Sequence, residues 1–248
     1  MAGSTTTTVG VDVASQPAGT AACRVHWQRD RAVIDAVEAD LDDQRLVVVL
    51  TQPAARVGLD VPLGWPDGFV GAVSRHHLGQ PFGEVALARL VRRETDIWVW
   101  EQTKQLPLSV TTDRIAYPAM RVARLLDQLP DGAIDRSGSG RFVEVYPAAA
   151  LRVWELRHRS YKRQAGRPLL ATLLEDLRGR CPWLHADEAT WAAVGRTDHA
   201  FDALIGALVA RAHQRGLCHP IPVGLREAAA REGWIAVPVL GSLERLVR

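Results

Sequence analysis

The chain has 248 residues with 30 Lys and Arg against 28 Asp and Glu, so its net charge of +2 gives no general attraction to nucleic acid or to a membrane. Hydrophobic residues make up 47% of it, but no stretch approaches the roughly 18 apolar residues of a membrane span. Three widely spaced cysteines argue against a disulfide framework and against a four-thiolate zinc site. We therefore expect a globular, cytoplasmic protein without a membrane partner.

The hydrophobic pattern of the first quarter of the chain predicts mostly strands. Residues Met1 to Thr8 are small and hydroxylated, which predicts a flexible lead-in. Four strands are predicted after it, at Val9 to Ala14, Thr20 to Gln28, Ala32 to Leu41 and Arg56 to Val61. The segment Asp42 to Ala54 is compatible with a strand or a helix. We favour a helix, because two acids can open one and the segment that follows is the better strand.

The rest of the chain is mainly helical in pattern. Helices are predicted at Phe69 to Leu78, Thr111 to Leu129, Ala148 to Leu156, Leu169 to Arg178, Asp187 to Val194 and Asp198 to Arg215. Met120 falls on the apolar side of the second of these. Thr95 or Asp96 is predicted to cap the segment that contains Trp98 and Trp100. Further strands are predicted at Arg141 to Tyr146 and Trp234 to Val237. Without an internal repeat or a clean linker, we expect one α/β domain over residues 9–248.

Acidic side chains follow several of the predicted strands. Asp12, Asp60 and Glu144 lie at or near strand ends, while Asp198 and Asp202 stand one turn apart on the last long helix. If the strands of Asp12 and Asp60 are parallel neighbours, their backbones lie about 4.8 Å apart. Carboxylates that close repel each other unless they share protons or a divalent cation, and oxygen ligands select Mg²⁺ or Mn²⁺. Such a site could cleave a phosphodiester.

Each of these acids also has a purely structural interpretation. A lone acid at a strand end is commonly a turn or capping residue, and Asp198 can be the N-cap of its helix. A pair of Asp residues four apart on a helix, such as Asp198 and Asp202, is usually a solvated face, although by helical angle Asp202 falls at the edge of the apolar face. Glu144 can pair with Arg141 or Arg152. The metal hypothesis therefore depends on two matched strand-end acids meeting a helical acid on a half-buried face.

A basic segment runs from Arg152 to Arg167 and contains seven Arg, Lys and His residues against one acid. Trp154 and Tyr161 lie within it. Cations attract phosphate and aromatic rings can stack on bases, so the segment is a candidate nucleic-acid contact. A solvated helix-to-loop segment in an Arg-rich protein explains it equally well.

Six short motifs occur together in one order. They are GVDVA at Gly10 to Ala14, GLDVPLGWP at Gly58 to Pro66, RxTD at Arg93 to Asp96, EVYPAA at Glu144 to Ala149, YK at Tyr161 to Lys162, and DHAFDAL at Asp198 to Leu204. Each motif is weak singly, but the ordered set resembles the DUF429 family over about Val9 to Pro238. That family is described as predicted nucleases of the ribonuclease H-like fold.

The resemblance implies a ribonuclease H-like α/β fold, a mixed five-stranded sheet flanked by helices and carrying helical insertions. The first three strands would be antiparallel, and the first and fourth adjacent and parallel. Asp12 would lie on the first strand, Asp60 on the fourth and Asp202 on the closing helix. The closing segment is also similar to the end of Holliday-junction resolvases, where an acid stands at the position of His199. Asp198 is the alternative acid here.

In function, the resemblance implies a nuclease that uses Mg²⁺ or Mn²⁺. Asp12, Asp60 and Asp202 would hold the metal, and Asp198 or Glu144 would complete the catalytic set. The residues expected to contact substrate are Lys162, Tyr161, Arg93 and Asp96. A non-catalytic binding or scaffold protein of the same fold is the alternative, favoured if Asp12 or Asp60 is salt-bridged to an arginine such as Arg93. A nucleotide phosphotransferase is a third, but the chain lacks a convincing glycine-rich phosphate loop.

Overall fold

A computed structural model describes residues 6–130 and 134–247. Residues Met1 to Thr5, most of the predicted lead-in, lie outside the described residues. The first strand begins at Thr6 rather than Val9, so the last part of that lead-in belongs to the sheet. Thr8 is fully buried, and its Oγ1 donates to the carbonyl of Ala207 over 3.0 Å.

A seven-stranded sheet forms the centre of the molecule. Its strands are β1 (Thr6–Asp12), β2 (Ala21–Trp27), β3 (Ala32–Ala39), β4 (Arg56–Asp60), β5 (Phe142–Val145), β6 (Leu184–His185) and β7 (Ile235–Ala236), in the spatial order β6-β3-β2-β1-β4-β5-β7. The five-stranded prediction was too small, because two-residue strands add one neighbour to each edge. The sequence pattern predicted the second of these, β7, as a longer strand, and it missed β6.

Strand directions agree with the prediction. β2 is antiparallel to both β1 and β3, whereas β1 and β4 are parallel neighbours. β5 is parallel to β4 on its other side. The predicted antiparallel first three strands and the parallel pair of first and fourth strands are therefore confirmed.

Ten helices cover the sheet or extend from it within the described residues. They are α1 (Asp43–Thr51), α2 (Asp67–His77), α3 (Leu87–Val91), α4 (Glu94–Thr103), α5 (Asp113–Leu126), α6 (Pro147–Val153), α7 (Arg167–Arg180), α8 (Glu188–Val194), α9 (Asp198–Gln214) and α10 (Arg226–Glu232). The helical interpretation of the ambiguous segment is confirmed by α1, which Asp42 caps by accepting from the backbone N–H of Arg45.

Two local predictions on the helices were wrong. α4 begins at Glu94, so neither Thr95 nor Asp96 is its N-cap; Asp96 lies in the first turn and accepts from the backbone N–H of Arg93. Met120, on α5, does not face the protein core and is 46% exposed. The buried stripe of α5 passes instead through Ala119 and Val122.

The helix α9 is buried on almost every side and crosses β1, β2 and β4. Glycines permit this close approach. A Cβ at Gly10 would overlap the backbone of Ala203 and Ala207, and one at Gly58 would lie 2.5 Å from the carbonyl of Gly206. The helix therefore rests directly on the backbone of β1 and β4, which fixes the position of its first turns relative to the strand ends.

Among the described residues, no helix has the length and apolar character needed to cross a membrane.

Candidate metal centre

The site begins with the register of two parallel strands. Asp12 and Asp60 are the last residues of β1 and β4, and they are paired neighbours across the ladder. Alternation along a strand gives two paired residues the same face, so their side chains leave the sheet together. The predicted meeting of these two acids at the same end of the sheet is confirmed.

The third acid comes from α9. Asp202 lies one turn before Gly206, where the helix is pressed onto the sheet, and it is only 1% exposed. It is therefore buried rather than at the edge of a packing face as the helical angle predicted. Asp12, Asp60 and Asp202 each offer one ligand oxygen, and these atoms lie within 4.8 Å of one another. We call this group the acidic triad.

The electrostatics of the acidic triad follow from its burial. Burial and the nearby carboxylate of Asp12 raise the pKa of Asp60 well above its usual range, against the opposing effect of Lys162. Burial likewise raises the pKa of Asp202, although the ammonium group of Lys162 lowers it. Bringing three carboxylates together in a buried position is costly, and a cation between them would offset that cost.

One cation already contacts the triad. The Nζ of Lys162 lies 2.5 Å from Oδ2 of Asp202, while the side chain as a whole is 48% exposed. The side chain is therefore half exposed to solvent, while its charged end contacts the carboxylate of Asp202. Burial lowers the pKa of Lys162, but the charges of Asp202, Asp60 and Asp12 outweigh that effect and raise it. Lys162 remains protonated beside the triad.

Tyr161 orients the carboxylate of Asp202 on α9. Its hydroxyl donates to Oδ1 of Asp202 over 2.7 Å, and its ring packs edge-on against Phe201. The ring is 1% exposed, so it cannot contact a substrate base as the sequence suggested. Tyr161 instead fixes the direction in which the Asp202 carboxylate points.

The loop that carries these two residues has an unusual backbone. Ser160 and Arg163 both have positive φ, at 64° and 67°, a region that residues with a Cβ seldom adopt. The backbone N–H of Arg163 donates to Asp198 over 3.1 Å, which ties the loop to the start of α9. Strain of this kind persists where surrounding contacts hold it, and it is often found at functional sites.

Asp198 holds the loop through this hydrogen bond from Arg163 and is not a member of the acidic triad. It is also not the helix cap, because Thr197 precedes the helix and its hydroxyl accepts from the backbone N–H of Ala200. The structural interpretation of Asp198 as an N-cap was therefore wrong. The residue does line the surface cleft that Asp12 and Asp60 also line.

Sequence reasoning did not select His199 as a site residue. Its Nδ1 lies 2.8 Å from Oδ2 of Asp12, and its side chain is 40% exposed in the cleft. The hydrogen bond to Asp12 raises the pKa of His199 above its usual value. Residues 198, 199 and 202 fall on adjoining parts of one helical turn, so the helix sequence did place His199 beside two acids. That pattern does not show that His199 contacts Asp12 on β1.

Glu144 belongs to a separate network. Both of its oxygens accept from the guanidinium of Arg93, over 2.7 and 2.8 Å, and Oε2 also accepts from the backbone N–H of Leu63. Arg93 further donates to both oxygens of Asp96 and to the carbonyl of Glu232. The predicted pairing of Glu144 with Arg141 or Arg152 was wrong.

This network uses all five N–H donors of Arg93, and Arg93, Asp96 and Glu144 are each at most 2% exposed. No donor is left for a substrate phosphate. Arg93 and Asp96 therefore have no free group for a substrate, and Glu144 serves as the buried partner of Arg93 rather than as a catalytic acid. Arg93 also makes no ion pair with Asp12 or Asp60, the arrangement that would favour a non-catalytic role.

A cleft of 570 Å³ opens above the triad. Arg114 from α5 and Arg163 from the strained loop line it together with Lys162. Much of the basic segment at 152–167 is exposed, but Trp154 and Tyr161 within it are core residues. The expected stacking of these two rings on bases is therefore wrong, and the basic side chains alone are available to a ligand.

The donor set of the triad suits a hard divalent cation. It offers three carboxylate oxygens from three separate elements and no sulfur. Mg²⁺ and Mn²⁺ prefer such ligands and keep several water molecules. The cleft provides room for them.

Fold and site together define an α/β protein with a buried cluster of three carboxylates at the end of its parallel strands. The chain belongs to the DUF429 family, described as "Protein of unknown function (DUF429)", which matches residues 10–225. No curated protein and no solved structure matches the chain.

Proposed function

We propose that this protein is a Mg²⁺- or Mn²⁺-dependent nuclease that hydrolyses phosphodiester bonds of nucleic acid. The observation that carries the proposal is the convergence of Asp12, Asp60 and Asp202 within 4.8 Å of one another. Three carboxylates face the ammonium group of Lys162 and the imidazole of His199 there, which leaves an excess of negative charge at a largely buried position. A divalent cation would neutralise that excess.

The ribonuclease H-like fold belongs to this proposal. It is supported by the antiparallel β1-β2-β3 unit, by β4 parallel to β1, and by a closing helix that brings its acid to those strand ends. Fold does not establish activity, so the chemistry is argued from the site.

Each residue at the site has a distinct part in the proposed reaction. Asp12 and Asp60 would hold the metal from the sheet, and Asp202 would hold it from α9. The bound cation would supply the charge that activates a water molecule and stabilises the leaving oxygen. Tyr161 keeps Asp202 oriented, and Lys162 and Arg163 lie where they can contact a phosphate.

A second candidate is a non-catalytic protein that has kept the fold. The contact of Lys162 with Asp202 favours it, because an internal ammonium group supplies part of the countercharge that a metal would supply. This candidate predicts weak metal affinity and no turnover.

Metal-dependent cleavage of labelled single-stranded, double-stranded and branched oligonucleotides tests the proposal. We expect cleavage with Mg²⁺ or Mn²⁺, none with a chelator, and loss of at least about 100-fold in Asp12→Asn without a fall in melting temperature. Asp30→Asn, at an exposed turn between β2 and β3, is the matched control and should cleave normally. Equal cleavage by Asp12→Asn would refute the proposal, and no turnover by the wild type would favour the second candidate.

A further inference from the structure

A second groove adjoins the cleft. It has a volume of 750 Å³ and runs along α5, and Ser15 lines both spaces. Tyr117, Arg121 and Arg124 form its helical wall. We call it the α5 groove. A ligand held in the cleft can continue into this groove without leaving the surface.

One face of α5 presents an unusual combination of side chains to this path. Arg114, Tyr117 and Arg124 are separated by three and seven residues, so they lie along one side of the helix. All three are exposed, and the Tyr117 side chain is 59% exposed although it is large and aromatic. A ring in that position presents a flat apolar surface to a ligand.

The two outer cations are available for binding. Neither the Arg114 nor the Arg124 guanidinium has a hydrogen-bond or ion-pair partner among residues 6–130 and 134–247. Arg121, between them, is committed to the fold, because it donates to Asp43, Thr20 and the carbonyl of Leu41. Free guanidinium groups bind phosphate well.

The acids of the groove are already engaged. Asp43 accepts from Arg121 over 2.7 Å, and Asp42 caps α1 through the backbone N–H of Arg45. Their charges are therefore partly offset within the protein, while those of Arg114 and Arg124 are not.

From this arrangement we infer that the substrate is single-stranded nucleic acid, whose strand leaves the cleft along α5 with a base stacked on Tyr117 and phosphates held by Arg114 and Arg124. The inference that the strand passes from the cleft into the α5 groove rests on the proposed function. Arg114 and Arg124 are ten residues apart, about 15 Å along the helix, a distance that an extended strand spans with a few nucleotides.

The aromatic residue decides between a single strand and a duplex. In a duplex each base face is covered by its neighbours, so an exposed ring finds nothing to stack on. In a single strand the base faces are free, and stacking on a protein ring is independent of sequence. The groove therefore favours unpaired nucleotides without a base preference.

Binding can be measured without cleavage in an Asp12→Asn background, by fluorescence anisotropy with a labelled 12-nucleotide single strand and with the duplex of the same sequence. We expect the single strand to bind at least about 10-fold more tightly than the duplex. Adding Tyr117→Ala should weaken single-strand binding by about 5- to 100-fold, and Tyr117→Phe should not. Similar affinity for both probes, or an unaffected Tyr117→Ala protein, would overturn the inference.

The salt dependence gives a second, independent readout. Arg124→Gln should weaken binding and lower the slope of log K against log salt by about 0.7, the effect of one phosphate contact on a single strand. Arg226→Gln, an exposed arginine on α10, should leave both values unchanged. An unchanged slope in Arg124→Gln would contradict the proposed phosphate contact.

A small diester separates this inference from the proposed function. Bis(p-nitrophenyl) phosphate is too short to occupy the α5 groove, so its metal-dependent hydrolysis by the wild type tests the proposed function alone. If the wild type hydrolyses it but Tyr117→Ala binds single strands normally, the groove assignment fails alone. If nothing is hydrolysed but Tyr117→Ala loses single-strand binding, the nuclease proposal fails alone.

Discussion

Asp12 and Asp60 are paired residues on the parallel strands β1 and β4, and both strands end there. Two carboxylates consequently leave the sheet side by side, and Asp202 meets them from the helix above. The register of one strand pair thus creates the charge density on which the metal proposal depends.

Removing one of these charges should stabilise the metal-free protein. We expect Asp60→Asn to raise the free energy of unfolding by about 1 kcal/mol, or about 2–4 °C in melting temperature, because the cost of burying the charge and its repulsion from Asp12 are both removed. The same variant should lose the stabilisation that Mn²⁺ gives the wild type. Thermal melts with chelator and with Mn²⁺ measure both effects. A lower chelator melting temperature for Asp60→Asn than for the wild type would contradict the repulsion argument.

The charge of Glu144 should behave in the opposite way. Glu144→Gln removes the main partner of a fully buried arginine, so we expect a loss of about 3 kcal/mol in the free energy of unfolding. Denaturant unfolding measures it. Glu38→Gln, which breaks an ion pair with Arg45 at the surface, is the control and should cost less than about 1 kcal/mol. Equal losses in the two variants would show that burial of the Arg93 network contributes nothing.

These two acids show how far the sequence alone could lead. Asp60 and Glu144 have the same local pattern, an acid near the end of a short apolar strand. What separates them is Arg93, which precedes α4 and reaches Glu144 across 51 positions of the chain. No periodicity reports such a long-range pairing, so the pattern could identify candidates but could not divide them into site and scaffold.

The helical and loop residues show a second limit. The strand directions, α1 and the meeting of Asp12 with Asp60 were predictable, because they depend on local pattern and on pairing rules. The burial of Tyr161 was not, since its neighbours in sequence are basic and exposed. Its environment is set by Phe201 on a distant helix. His199 was missed because its partner, Asp12, lies on a strand that is distant in sequence.

The glycine contact beneath α9 predicts a strong packing effect. Gly10→Ala should lower the free energy of unfolding by at least about 2 kcal/mol, because its Cβ would overlap the backbone of α9. Gly179→Ala is the control. Gly179 lies exposed in α7, and a Cβ there would meet no atom of another described residue within 4 Å, so that change should be neutral or stabilising by about 0.5–1 kcal/mol. A Gly10→Ala protein as stable as the wild type would contradict the tight seating of the helix.

His213 predicts sensitivity to acid. Burial and the nearby charge of Arg56 lower its pKa to about 4. Between about pH 6.5 and pH 4, His213 is protonated in the unfolded chain but not in the folded chain. The free energy of unfolding should therefore fall as the pH falls through that range. His213→Gln should show a shallower decline in melting temperature, whereas the exposed control His77→Gln should follow the wild type. Parallel curves for all three proteins would contradict a buried neutral His213.

The most direct test of the account is a calorimetric titration with Mn²⁺ of the wild type beside Asp12→Asn, because it needs no substrate. We predict saturable binding by the wild type and at least a 10-fold weaker affinity, or none, in the variant. Binding of equal strength by both proteins, or no binding by either, would contradict the claim that Asp12, Asp60 and Asp202 form a metal centre.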